Sequence, residues 1–348
     1  MWSEAEKTGA EPGDRRSMAL LIDEALGYVY PAALRAVAAV GVADELAGGP
    51  RTVAELAGQT GVHEESLHRI LRLVATRGVV EELDDGRFLL TELGQALRSD
   101  VPLSARPAVL MLTDHTLWLP SGEMERCLRE GGSVFAGIFG MPFFDYFAMD
   151  EQTATSFHNG MAAVSDAENL PVAACYDFPE AGVVVDVGGG HGGFLLEVLR
   201  RRTGLEGVLF DEAHVVAGHR LDIDEIKGRW RTAPGDFFSE VPRGDVYLIK
   251  RILHDWDDEQ CAAILRNCRR AMAPGGRILV VDAVVPRGNT PHQAKTLDLL
   301  LMSALVGKER TEADFARLFA ASGLRLSRVV PTGTVVSIVE ATPTDPAA

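Results

Sequence analysis

Residues 182–193 read GVVVDVGGGHGG, a run of β-branched residues that opens into a glycine-rich loop. The apolar run predicts a buried strand, and the glycines predict a backbone that comes close to a ligand at the start of a helix. The next 90 or so residues keep the same rhythm. The helix FLLEVLRRR leads to the strand GVLFD, then a mostly helical stretch and the segment APGDFF. The strand DVYLIKRIL, the helix DEQCAAILRNCRRAMAPGG and the strand RILVVDAVV come next. Strands and helices alternating at this spacing require a parallel sheet with helices on both faces. Two closing strands lie in GLRLSRVVPTGTVVSIVEATP, so the α/β domain spans residues 174–343.

The first half of the chain has a different grammar. Residues 1–17 are polar and predict a disordered tail. Helical periodicity runs from Met18 to about Leu46 and is interrupted near Pro31. Thr52 is placed to cap a short helix, and a second helix ends at Gly78. VVEELDDGRFLLT then reads as strand, Asp-Gly turn and strand. Helix, turn, helix and hairpin make a winged helix over residues 18–104. Residues 105–173 are helices rich in large apolar side chains that link the two parts and wall a pocket.

A winged helix raises the question of DNA. The candidate recognition helix, EESLHRILRLVATRG, holds Arg69, Arg72 and Arg77 but opens on Glu64 and Glu65. The 348-residue chain carries a net charge of −16, the wrong sign for a phosphate polyanion or an anionic membrane surface. The four cysteines (Cys127, Cys175, Cys261, Cys268) form no CxxC, which predicts reduced thiols in a cytoplasmic protein, with no disulfide frame and no metal site. No apolar run is long enough to span a bilayer.

The spacing within DVGGGHGG leaves the loop's ligand open. Gly188, Gly190 and Gly192 fit the GxGxG of S-adenosylmethionine (SAM) sites, whereas Gly188, Gly190 and Gly193 fit the GxGxxG of dinucleotide sites. The surrounding residues favour SAM. Asp186 is a carboxylate suited to a cationic amino-acid group and ill suited to a pyrophosphate. Asp211, ending the next strand, is placed for ribose hydroxyls. Asp236 and Phe237 of PGDFF offer an acceptor and a ring to an adenine.

The stretch LIKRILHDWDDEQC, residues 248–261, puts His254 and Trp256 at a strand end among acids. With VVDVGGGHGG, PGDFF, APGGRILVVDAVVP and GKERTEADF, it makes the chain resemble the SAM-dependent small-molecule O-methyltransferases over about residues 18–342. That family includes plant caffeate and isoflavone enzymes and a bacterial antibiotic-tailoring branch. The resemblance is strongest to enediyne-pathway members that methylate an orsellinate-type phenol. It implies a Rossmann-like class I methyltransferase domain with a mostly parallel seven-stranded sheet, an N-terminal winged-helix dimerisation domain and a homodimer. It also implies His254 as general base, flanked by Asp282 and Glu309, where many plant members have Glu at the position of Asp282. A phenol ionises near about 10 and an imidazole near about 6.5, so a base beside the attacking oxygen is chemically reasonable. A sulfonium leaves readily, so no metal is expected.

By the same resemblance Lys250, Trp256 and Ser165 border SAM, and Phe157 and Met161 line the acceptor pocket. Met111, Asp114, His115 and Trp118 are further wall candidates, as are Asp298, Met302 and Leu305 from the C-terminal side, although ordinary core packing explains the apolar ones equally well. Asp255 is expected to cap the helix after it. The function implied is methylation of a phenolic hydroxyl on an aromatic small molecule, with S-adenosylhomocysteine (SAH) as product. Relatives with hydroxylase or decarboxylase chemistry are the alternative, and a DNA-binding regulator is the weaker one.

Overall fold

The computed structural model describes residues 15–149 and 151–344, without the side chains of residues 151 and 152. The predicted disordered tail lies outside the described residues up to residue 14. Its last three residues are instead helical, in Arg15–Leu26, a segment that carries an apolar stripe and continues the next helix's pattern backward. The chain forms two compact units. One holds residues up to Asp114 together with Ser156–Ala163, and the other holds His115–Thr155 and the chain from Val164 onward. The segment 105–173, read from sequence as a single linking stretch, is thus shared between them.

In the first unit, helices Val29–Val40, Val42–Leu46, Val53–Thr60 and Glu64–Ala75 precede the antiparallel strands β1 (Val80–Glu82) and β2 (Phe88–Leu90). Thr52 and Glu55 form a reciprocal capping box at the third of these helices. Leu46, Leu56, Leu71, Val74 and Phe88 build the core. The helical break falls at Gly27–Tyr28 rather than at Pro31. Pro31 sits in the first turn of Val29–Val40, where a missing N–H costs no helical bond. Helix Arg15–Leu26 buries none of its residues, and Met18, Leu21, Ile22 and Leu26 are exposed.

The second unit is built on seven strands: β3 (Ala181–Val187), β4 (Gly204–Asp211), β5 (Trp230–Pro234), β6 (Gly244–Lys250), β7 (Met272–Ala283), β8 (Leu324–Pro331) and β9 (Val336–Pro343). Their order is β5-β4-β3-β6-β7-β9-β8. The first five run parallel, and β9 pairs antiparallel with both β7 and β8. Alternate residues feed two cores, one per face. Tyr247 and Ile249 join Cys261, Leu265 and Phe315 on one side, while Leu248 joins Val184, Leu195 and Leu279 on the other. Sheet order reverses between β3 and β6, which opens a crevice at the carboxyl ends of those strands. Helices His115–Gly122 and Gln293–Ala304 of this unit pack on each other. Among the described residues no single helix is long and apolar enough to cross a membrane.

Candidate active site

The crevice is floored by the glycine loop. Gly188, Gly190 and Gly192 have φ of 65°, 58° and 81°, a region L side chains rarely adopt. The Gly188 N–H donates to the Phe210 carbonyl at 2.8 Å, and the Gly190 N–H donates to Asp211 Oδ2 at 2.8 Å. A β-carbon on Gly188 would come within 2.5 Å of Ile252, and one on Gly189 within 2.6 Å of the Asp186 carboxyl carbon. On Gly190 it would meet nothing within 4 Å, so this glycine borders open space.

Asp186 ends β3 beneath the loop, 1% exposed, and its Oδ2 has no hydrogen-bond partner among the described residues. Burial pushes its carboxyl up to about 7; Lys250 pulls the other way, and Asp211 adds to the rise. Asp211 uses its second oxygen on the Glu212 N–H at 2.7 Å. Asp236 is exposed and closes its own turn through the Phe238 N–H and the Ser239 hydroxyl. Phe237 is half-buried and meets Trp256 edge-on at 6.3 Å. Trp256 also stacks on Phe144 at 5.5 Å.

At the end of β6, Lys250 is buried and fully engaged. Its Nζ donates to Ser165 Oγ at 2.7 Å, to the Ser165 carbonyl at 3.1 Å and to Asn169 Oδ1 at 3.0 Å, with Glu168 Oε2 at 3.3 Å. Burial brings its ammonium down to about 8, against the pull of Glu168. Arg251 follows with φ of 54°, the one non-glycine residue with positive φ among those described. It grips Glu168 with two bonds, 2.6 and 3.0 Å. Burial opposes ionisation of Glu168, but these cations hold its carboxyl below the usual range. Glu168, Asn169 and Arg251 were invisible in the sequence because their partners lie more than 80 residues away.

The turn Leu253–Asp255 then delivers His254, which is 6% exposed. Its Nδ1 lies 3.0 Å from Glu309 Oε1, and its Nε2 lies 3.5 Å from Asp255 Oδ1. Burial lowers the pKa of this imidazole, yet Asp255, Glu309 and Asp282 together raise it to about 9. Asp282, near the end of β7, is 1% exposed, and neither of its oxygens has a partner among the described residues. It therefore acts on His254 through charge and not through a hydrogen bond, and burial raises its own carboxyl to about 6. The capping expectation fails for Asp255. Asp257 caps the helix Asp258–Ala271 in a box with Gln260, which leaves Asp255 to face the imidazole.

The expected acceptor residues fall in both units. Met111 is buried in the first unit, where it fills the space a β-carbon on Gly160 would need. Phe157 and Met161 are half-buried in that same unit. In the second unit Trp118 and Met302 are half-buried on the two helices that pack together. Asp298 is half-buried, and its Oδ1 accepts the Glu309 N–H at 3.0 Å. Among the described residues no group of three or more His, Cys, Asp or Glu is arranged to hold a metal ion.

Comparison with known proteins gives this geometry its context. Residues 122–325 match the O-methyltransferase domain family, and residues 22–100 match the O-methyltransferase dimerisation domain. The chain belongs to the O-methyltransferase family. Phenazine O-methyltransferase PhzM of Lysobacter antibioticus is 38% identical over 346 residues, covering 98% of this chain and 99% of that one. The structure of CalO1, a methyltransferase in calicheamicin biosynthesis solved with SAH bound, superposes with a TM-score of 0.89. It is 53% identical and covers 95% of this chain and 99% of its own. NcsB1 from neocarzinostatin biosynthesis, solved with SAM and 2-hydroxy-5-methyl naphthoic acid, gives 0.75 at 34% identity, covering 90% and 95%.

The protein is therefore a SAM-dependent O-methyltransferase and a homodimer with a dedicated dimerisation domain. Its own residues fit the cofactor. The unpartnered Asp186 oxygen, which a β-carbon on Gly189 would reach at 2.7 Å, is a site that a cationic ligand would complete, and Gly190 leaves open space beside its own backbone.

Proposed function

We propose that this enzyme methylates a phenolic hydroxyl of an aromatic small molecule in antibiotic assembly, an orsellinate-type polyketide being the best match, with His254 as general base. The observation that supports this most is the asymmetric seating of His254: Nδ1 on a fully buried carboxylate, Nε2 toward the half-buried Asp255. The names of the relatives agree in kind, a phenazine and a naphthoic acid both being fused aromatics.

SAM, when bound, supplies a methyl group on a positively charged sulfur. Asp186, Gly188, Gly190, Asp211, Asp236, Phe237, Lys250, Trp256 and Ser165 form its site in this reading. Glu309 accepts the Nδ1–H and so leaves the Nε2 lone pair of neutral His254 for the hydroxyl proton. An imidazole at about 9 stands within roughly one unit of a phenol, so the proton moves with little penalty. Asp255 and Asp282 stabilise the imidazolium that results. Residues 18–104 dimerise the chain, Trp118 and Met302, on two helices that pack together, wall the acceptor side of the catalytic unit, and residues 174–343 hold SAM. Asp298 serves that side by setting the Glu309 backbone. Scattered cysteines and an acidic surface suit the cytoplasm.

The test is a panel of phenolic benzoic and naphthoic acids incubated with methyl-labelled SAM, with products analysed by mass. Label on an acceptor oxygen is the expected result. Loss of carbon dioxide, or oxygen gain without label, would replace this reading with decarboxylase or hydroxylase chemistry.

A further inference from the structure

Arg310 heads the largest side chains that the fold buries completely, at 1% exposure. A guanidinium at that depth is costly unless its donors are used. Nη1 donates to the Leu253 carbonyl at 2.7 Å, and Nη2 donates to the Trp256 carbonyl at 3.0 Å and the Cys261 sulfur at 3.3 Å. Nε and Nη2 both reach Asp258 Oδ1, at 3.0 and 2.8 Å. Leu253 and Trp256 bracket His254 and Asp255, so one planar group braces the backbone on both sides of the base.

The neighbours of Arg310 act on the same turn. Glu309 takes the His254 ring, and its own N–H is fixed by Asp298. Gly307 lies so close that a β-carbon there would fall 1.9 Å from the His254 carbonyl oxygen. The Arg310 carbonyl accepts the Val285 N–H at 3.0 Å, which ties the loop to the chain leaving β7. The loop from Gly307 to Arg310 therefore holds the base by its ring and by its backbone together.

We propose that Arg310 is the positioning residue of the catalytic turn: by gripping the Leu253 and Trp256 carbonyls it sets the His254 ring against Glu309. This rests on the reading of His254 as base. Lysine cannot reproduce the grip, because one ammonium lacks the planar fork that reaches two carbonyls and a carboxylate at once. A ring displaced by about 1 Å loses on the order of 100-fold in rate.

The experiment compares wild type with Arg310→Lys and Asp258→Asn. The second variant loosens the fork from its half-exposed end: its amide oxygen can still accept from Nε and Nη2, while the counter-charge of the guanidinium is removed. Each is titrated with SAH by calorimetry, assayed with the best phenolic acceptor and its nitro-substituted analogue, and examined by NMR with 15N-labelled histidine. The expected result is SAH affinity within about twofold of wild type, with kcat reduced at least about tenfold in Arg310→Lys and less in Asp258→Asn. The loss is smaller for the nitro analogue, whose hydroxyl is already ionised, and the His254 Nδ1 signal moves away from its Glu309-bonded position. Equal losses on both acceptors with an unmoved His254 signal would overturn the proposal, as would wild-type kcat in folded Arg310→Lys. Should Arg310→Lys not fold, Asp258→Asn decides on the same readouts. If no phenol is methylated by wild type, the functional reading fails, while the NMR signal still tests the positioning claim.

Discussion

His254 Nδ1 and Glu309 Oε1 lie 3.0 Å apart although 55 positions separate the two residues in the chain. Glu309 is fully buried, so the contact persists without competition from water. On the proposed mechanism it fixes which ring nitrogen is offered to a substrate. On that mechanism, replacing His254 with Ala removes the proton acceptor but touches none of the residues around Asp186. Turnover should fall by about 100- to 10,000-fold while SAH binds with unchanged affinity by calorimetry. A variant that kept its rate would transfer the role of base elsewhere.

The pH profile rests on the same cluster. The imidazole stands at about 9, so without substrate the ring is protonated at neutral pH. A base must be neutral to act, and kcat/KM should therefore rise with pH and level off near about 9. Asp255→Asn removes a negative charge from Nε2, which disfavours the imidazolium and lowers its pKa. The rising limb should shift toward acid in that variant, as measured with labelled SAM between neutral and alkaline pH. A limb that stayed in place would show that Asp255 does not tune His254.

Much of this was legible before the fold was known, and the exceptions share a cause. β3, β4, β6 and β7 were plain because strands buried on both faces are written as unbroken apolar runs. The edge strand β5 was missed: its residues are half or fully exposed, and Trp230–Thr232 fell within the stretch read as mostly helical before APGDFF. The glycine loop was readable because its chemistry is local. Glu168, Asn169 and Arg310 were not, since each acts on a turn far away in sequence and carries no periodic signal. Asp255 was misread because Asp257 is an equally good cap, and only the geometry shows which of the two starts the helix.

On the proposed cofactor site, Asp186 exchanges stability for binding. Its carboxyl is protonated in both folded and unfolded chains below about 4. With a folded value of about 7, the stability present at low pH is lost as pH rises toward and through 7. Asp186→Asn mimics the protonated form. It should raise the melting temperature of the ligand-free protein at pH 8, with a gain that shrinks as the pH is lowered to 5. The same variant should bind SAH more weakly. A variant no more stable than wild type at pH 8 would mean that another group satisfies the orphan oxygen.

The exposed stripe of helix Arg15–Leu26 predicts where the homodimer can be broken. Met18, Leu21, Ile22 and Leu26 stand in water on a single chain, and Leu21 is 72% exposed. Apolar groups in that number on one helix need a partner surface. Leu21→Glu combined with Ile22→Glu should yield monomers by light scattering while the far-ultraviolet circular dichroism stays that of a folded protein. A dimer that survived both charges would move the interface to another face of the N-terminal unit.

Glu168 anchors the end of β6. Arg251 occupies a backbone conformation that costs a non-glycine residue about 1–3 kcal/mol, and its two bonds to Glu168 offset that cost. Lys250 leans on the same carboxylate. Glu168→Gln keeps the shape but leaves two buried cations without their counter-charge. The loss should be about 3–5 kcal/mol, read as a lower urea midpoint. Arg251→Gly should be milder than Arg251→Ala, because glycine alone accepts the φ of 54° without strain. The reverse order would show that the strained turn is not what the ion pair holds in place.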